Sequence, residues 1–184
     1  MTRIVLFTVA LVAFGAIDAR AQSIGIFKGY VTGHLGGING GGLSGSRVTP
    51  GASVSVNEQD GWGAEFDFGH SSDAPVQGFE FDINTYMINA SWIRPTGLVR
   101  PFGIGGAGIM QINPCDACVA SPRTYDLGLS VGGGAFVAIN DWSAVRGDVR
   151  YFYSGADHTD LGRPDNFSFW RISIGATFIW DITP

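Results

Sequence analysis

The sequence predicts an all-β fold, an eight-stranded antiparallel up-and-down transmembrane β-barrel, and three observations carry that expectation. The first is alternation near the C-terminus. From Phe169 to Asp181 the even positions read Trp170, Ile172, Ile174, Ala176, Phe178 and Trp180, while the odd positions read Phe169, Arg171, Ser173, Gly175, Thr177, Ile179 and Asp181. Successive strand residues point to opposite faces, so one face is apolar and the other mostly small or polar. The second is height. At about 3.3 Å per residue and a tilt near 40°, the rise from Trp170 to Trp180 is roughly 25 Å, the height of a lipid-facing band with aromatics at its rims. The third is composition. Lys28 is the only lysine, whereas glycine occurs 28 times, with 13 Phe, 5 Tyr and 5 Trp. A water-facing surface normally relies on Lys and Glu.

The 184-residue chain is long enough for one domain. Arg3 precedes an apolar run from Ile4 to Ile17, and Ala19-Arg20-Ala21 follows as a small-x-small cleavage site. Residues 1–21 therefore read as a secretory signal and 22–184 as the barrel domain. The run falls short of the ~20 residues that a membrane-spanning helix needs, and no longer one follows. The formal net charge of −5 becomes more negative once Arg3, Arg20 and Asp18 leave with the signal, which argues against a nucleic-acid partner.

Eight strands follow, near residues 24–36, 50–57, 62–71, 80–94, 99–112, 124–139, 142–154 and 167–181. Gly, Pro, Asn and Asp punctuate them. Short connections at Glu58 to Gly61, Pro95 to Leu98 and Asn140-Asp141 alternate with long ones at Gly37 to Thr49, Ser72 to Phe79, Asn113 to Arg123 and Gly155 to Asn166. Short periplasmic turns alternating with longer outer loops is barrel topology. In the first strand Phe27, Val31 and Leu35 oppose Lys28, Tyr30, Thr32 and His34. The second is the least regular, with Val54 and Val56 alternating with Ser53 and Ser55. In the third, Ala64, Phe66 and Phe68 oppose Glu65 and Asp67. The fourth changes phase between Ile83 and Tyr86, which predicts a bulge near Asn84. The fifth is expected to turn Gly103, Gly105 and Ala107 inward. In the sixth, Leu127, Leu129 and Val131 oppose Asp126, Gly128 and Ser130. In the seventh, Val145, Val149 and Tyr151 oppose Arg146, Asp148 and Arg150.

The polar faces collect Lys28, Arg146, Arg150 and Arg171 against Glu65, Asp67, Asp126 and Asp148. Eight strands enclose a space just wide enough for side chains to fill, and charges desolvated there must be paired. The expectation is a salt-bridge network that plugs the lumen. A narrow gated ion pore through it is the alternative. Trp92, Trp170 and Trp180 are expected at the aromatic rims. Cys115 and Cys118, the only cysteines, read most simply as a disulfide closing a small loop ring. A redox pair or part of a zinc site are the other readings.

With these features in place, the chain resembles the small outer-membrane barrels of the OmpA, OmpX and opacity-protein type. The matching stretches are Asn84-Thr85-Tyr86-Met87-Ile88-Asn89-Ala90, Arg100-Pro101-Phe102-Gly103-Ile104-Gly105-Gly106-Ala107-Gly108, Val131-Gly132-Gly133-Gly134-Ala135-Phe136, Asp148-Val149-Arg150-Tyr151-Phe152 and Arg171-Ile172-Ser173-Ile174-Gly175-Ala176-Thr177-Phe178. The resemblance implies a non-enzymatic outer-membrane protein of a Gram-negative-type bacterium, a structural envelope protein, adhesin or surface antigen. It implies no cofactor and no metal. Its partners would be outer-membrane lipid and an extracellular protein or surface ligand met through the loops. Two features depart from the pattern. Family members usually end on an aromatic residue, whereas Asp181-Ile182-Thr183-Pro184 follows Trp180 here. Nor is a peptidoglycan-binding domain expected.

Three other patterns bear on function. The first loop, from Gly36 to Ser46, is rich in glycine, and the last carries Asp157, Asp160 and Asp165 beside His158, without a recognised calcium-ligand spacing. His70-Ser71-Ser72-Asp73-Ala74 resembles the His-x-Ser-Asn segment of the barrel enzymes that deacylate lipid A, with Glu80 as the acid that would orient His70. It lies earlier in the chain than theirs and has Asp73 in place of Asn. Finally, alternation alone permits a soluble lipocalin-like barrel with its aromatic face inward. A water-facing surface built from rows of glycine with one lysine argues against it.

Overall fold

The computed structural model describes residues 27–76, 79–114, 124–155 and 166–182. The expected leader, Cys115 and Cys118, and the aspartates of the last loop lie outside the described residues.

Eight strands form: β1 (Phe27–Asn39), β2 (Arg47–Asn57), β3 (Trp62–Val76), β4 (Phe79–Ile93), β5 (Val99–Pro114), β6 (Thr124–Asn140), β7 (Ser143–Ser154) and β8 (Phe167–Ile182). Each pairs antiparallel with its neighbour in sequence. The pairing of β1 with β8, from Phe27 with Ile182 to Asn39 with Trp170, closes the barrel. Closure leaves no unpaired edge, which is what permits strands to cross a hydrocarbon layer.

The short connections are tight turns at one end of the barrel, here the turn end. At Asp60 and Asn140 a side-chain oxygen accepts the backbone N–H two residues on, from Trp62 and Trp142, both at 3.1 Å. This is how Asx residues close a turn. Gly61, at φ 98°, supplies the left-handed conformation that the first turn needs.

At the opposite, loop end two hairpins are longer than their sequences suggested. The expected loop from Gly37 to Thr49 shrinks to residues 40–46, and most of the expected loop from Ser72 to Phe79 is strand. In the β3–β4 hairpin the residues turned outward include Ser72, Asp73, Glu80 and Asp82, so this part of the wall is polar and resembles loop. The expected bulge near Asn84 is not in β4. The register shifts in β3 instead, between Ser71 and Ala74, where Ser72 and Asp73 oppose Asp82. The phase change in β4 has another cause. Its odd positions face inward throughout, from Phe81 and Ile83 to Ile93. The apolar residues switch face because the lumen is apolar at that height.

One expected strand is turned over. In β5 it is Phe102, Ile104, Met110 and Ile112 that are buried inside, whereas Gly103 and Ala107 are exposed outside. Gly103, Gly105 and Ala107 therefore do not make room in the lumen. Gly106 and Gly108 share the inward parity, and a Cβ on either would collide with the backbone of β4. The strand carries small residues on both faces, so alternation held no information about its direction. The large apolar pair Phe102 and Ile104 decided it.

The outer wall is apolar. Ile88, Leu127, Val131, Ile172 and Ile174 are each at least 60% exposed, and they form part of a continuous belt. Soluble monomers rarely present apolar patches of that extent.

Candidate functional site

The lumen holds a charged layer between two apolar ones. β7 supplies Arg146 and Arg150, β8 supplies Arg171, β3 supplies Glu65 and Asp67, and β7 supplies Asp148. All six are buried. Their spacing of two residues along β3 and β7 aims five of them inward, and Arg171 shares the inward parity of Phe169 and Ser173 on β8.

The contacts form one connected network. Arg146 Nη1 donates to Glu65 Oε2 at 2.5 Å, and its Nε donates to Asp148 Oδ2 at 3.0 Å. Arg150 lies 2.9 Å from Glu65 Oε1, 3.2 Å from Asp67 Oδ2 and 3.3 Å from Asp148 Oδ2. Arg171 Nη2 donates to both oxygens of Asp67. Ser173 donates to the free side of Asp148 at 2.9 Å, and Ser53 accepts from Arg146 at 3.2 Å. Three guanidinium groups meet three carboxylates, so the layer is electrically neutral before histidine is counted. His34 Nε2 lies 3.3 Å from Asp67 Oδ2. Charged hydrogen bonds of this kind are strong, and each charge here would be costly to bury alone.

Toward the loop end Ile38, Val76, Ile83, Met87, Met110, Phe152 and Phe169 belong to one buried apolar cluster. Leu43, from the first loop, joins it, held by Gly42 N–H to Ser168 O at 2.8 Å and Ser44 N–H to Pro75 O at 2.7 Å. Toward the turn end Tyr30, Ile93, Phe102, Ile104, Phe136, Ala144 and Ile179 form a second cluster. Aromatic faces join the layers. Arg146 sits 4.5 Å over the Phe102 ring and Arg171 sits 5.1 Å over the Phe152 ring. These cation–π contacts let the guanidinium groups lie against the apolar layers without facing hydrocarbon alone. A cavity of about 10 Å3 beside Arg171, lined also by Thr49, Ser71 and Thr85, is on the scale of a single water.

The remaining site residues expected from sequence lie elsewhere. Lys28 does not join the central layer. It pairs with Asp181 at 3.2 Å at the turn end, where both are partly exposed. Asp126 points inward and is buried. Trp92 and Trp180 stand at the turn end with Trp62 and Trp142, and Trp170 stands at the loop end against Tyr151, ring centroids 4.9 Å apart. Trp62 and Trp142 were not anticipated as rim residues, although both begin a strand or end a short turn. Alternation places His34 on the polar face of β1 without linking it to the charge network. The signal available was its register beside the charged strands, which needs the closed barrel to be seen.

On the outer wall His70 has two partners. Its Nδ1 lies 2.7 Å from Asn84 Oδ1 and its Nε2 lies 2.9 Å from Ser72 Oγ. Glu80 is not the group that orients it. Glu80 lies 3.8 Å from Arg47 instead, while Asn84 faces His70 directly in the β3–β4 register.

No protein-family model matches the sequence, and neither does any curated protein. Solved structures do. Neisserial surface protein A is similar with a TM-score of 0.64 at 15% identity, over 83% of this chain and 96% of that one. The attachment invasion locus protein Ail of Yersinia pestis, in complex with the heparin analogue sucrose octasulfate, gives 0.56 at 17% identity, over 85% and 99%. The outer membrane protein OprG of Pseudomonas aeruginosa gives 0.55 at 12% identity, over 85% and 96%. Closed eight-strand topology, an apolar outer belt and these likenesses agree: the chain has the fold of the small β-barrels of the Gram-negative outer membrane.

Proposed function

We propose that this protein is an integral outer-membrane barrel whose lumen is a plug rather than a conduit. In this reading residues 1–21 are a cleaved export signal and residues 22–184 are the barrel. The observation that carries the proposal is the layering of the lumen. An ion crossing it would have to pass one apolar cluster, separate Arg150 from three carboxylates and then pass the second cluster. A conducting barrel is normally wider and lined with water. The network and its caps hold the eight strands in one register, so the interior is structural.

Surface interaction then falls to the loop end, as functional residues commonly sit on loops of a rigid scaffold. The complex of Ail with a heparin analogue makes a polyanion one candidate for barrels of this fold. The last loop argues against that ligand for this chain, since Asp157, Asp160 and Asp165 outnumber Arg163. A cationic or neutral partner suits it better.

Reconstitution into a planar lipid bilayer tests the plug. The expected result is no steady conductance from the folded barrel. Stable, voltage-independent steps would overturn the plug and favour a gated pore.

A further inference from the structure

We propose that Ser72, His70 and Asn84 form a hydrolytic site on the outer wall, acting on the carboxylic ester of a membrane amphiphile. The proposal goes beyond the structural role of the lumen, and it departs from the non-enzymatic expectation for barrels of this kind. It rests on three observations.

The first is the hydrogen-bonded chain. Asn84 Oδ1 accepts from His70 Nδ1 at 2.7 Å, which leaves the lone pair of Nε2 facing the Ser72 hydroxyl at 2.9 Å. That tautomer lets the imidazole act as a base toward the hydroxyl. Nucleophile, base and orienting group are thus in hydrogen-bond reach in the order that acyl transfer needs.

The second is the β-bulge formed by Ser72 and Asp73, between Ser71 and Ala74. Asp73 has φ 53°, a conformation that a non-glycine residue rarely adopts. It is held there from both sides. Its N–H donates to Asp82 Oδ1 at 3.2 Å, and its carbonyl accepts from Arg47 Nε at 2.7 Å. Bulges re-aim side chains, and strain of this kind persists only where the surroundings enforce it. A regular strand would present Ser72 as one more outward residue. The pinned bulge fixes it beside His70.

The third is position. His70 and Asn84 share the outward parity of Phe68 and Tyr86, whose rings lie 5.2 Å apart in the lipid-facing wall. On the other side of the site Ser72, Asp73 and Glu80 are exposed and polar. The chain of groups therefore sits where the outer wall passes from apolar to polar. An amphiphile with its chains along Phe68 and Tyr86 and its head in water presents its ester linkage at that height.

In the reaction Ser72 Oγ attacks the ester carbonyl as His70 Nε2 takes its proton. The C–O bond to the alcohol then breaks, and His70 returns the proton to the leaving oxygen. Water, deprotonated by His70 Nε2, then attacks the acyl carbonyl. The bond to Ser72 Oγ breaks, His70 returns the proton to that oxygen, and the acyl group leaves as a carboxylic acid. The net reaction is ester plus water to acid plus alcohol. Ser72 and His70 are the catalytic residues, and Asn84 is a positioning residue.

The test uses the folded full barrel in detergent micelles, with p-nitrophenyl decanoate as ester and a fluorophosphonate as covalent probe of an activated serine. Wild type should hydrolyse the ester and label with the probe. S72A and H70Q should each lose on the order of 100-fold in rate or more, with the fold intact by heat-modifiability on a gel. N84L should lower kcat with little change in KM, and N84D should restore it. Wild type that neither turns over nor labels above S72A would overturn the proposal. Equal turnover of p-nitrophenyl acetate would overturn the membrane-amphiphile assignment.

Discussion

Arg171 on β8 reaches across the lumen to Asp67 on β3, with Nη2 2.7 Å from one carboxylate oxygen and 2.9 Å from the other. Neither strand neighbours the other in the wall. The pair therefore braces the barrel across its bore in a way that no ladder hydrogen bond can. Arg171→Ala should leave Asp67 with Arg150 and His34 and should cost on the order of 3 kcal/mol, read as a lower urea midpoint for the folded barrel. The double variant Asp67→Leu with Arg171→Met should cost less than the sum of its singles, because the second change removes a charge that the first has left unpaired.

Arg146 should behave as a second brace. It joins Glu65, Asp148 and Ser53, and it lies over Phe102 and Phe136. Arg146→Ala should also cost on the order of 3 kcal/mol. Arg146→Lys should recover only part of that. An ammonium keeps the charge but cannot fork to two carboxylates or stack flat on a ring. An unchanged urea midpoint for either variant would count against an inward Arg146.

The direction of β5 makes opposite predictions for two nearby glycines. A Cβ at Gly103 meets nothing within 4 Å, whereas one at Gly106 collides with Ile88 O and with Asn89. Gly103→Leu should fold with a urea midpoint close to wild type. Gly106→Leu should be destabilised by more than about 2 kcal/mol or fail to fold. The reverse order would mean that β5 faces the other way.

Tryptophan is distributed unevenly between the two ends. Trp62, Trp92, Trp142 and Trp180 lie at the turn end and Trp170 lies at the loop end. Interfacial aromatics of this kind sit at headgroup depth. In vesicles that hold the barrel in one orientation with its loop end outward, a headgroup quencher added outside should dim Trp170 alone. Trp170→Phe should abolish that quenching and leave most of the fluorescence.

Much of the fold was legible because alternation is a strong signal wherever one face meets lipid and the other meets charge. β3, β7 and β8 satisfy that condition. Glu65 and Asp67, Arg146, Asp148 and Arg150, and Arg171 and Ser173 all point inward as their parity suggests. β5 defeated it, since glycine and alanine carry no preference for either face. β4 misled it for a different reason. Phe81 and Ile83 are apolar because they cap the charged layer from inside, so hydrophobicity changes face while the strand runs on unbroken. The two apolar clusters were invisible for the same cause. They draw residues from many strands, and no single strand announces a layer. The contacts of His70 illustrate the limit most clearly. Glu80 is the expected partner from sequence, but the bulge at Ser72 and Asp73 and the β3–β4 register bring Asn84 there instead.

Membrane fractionation followed by gels of unboiled and boiled samples tests most directly which face of the wall meets lipid. An intact barrel resists detergent until heated, so the prediction is a band in the outer-membrane fraction whose mobility changes on boiling. A soluble periplasmic protein with no heat shift would contradict it. The aromatic face would then have to point inward, and the charged layer would have to face water.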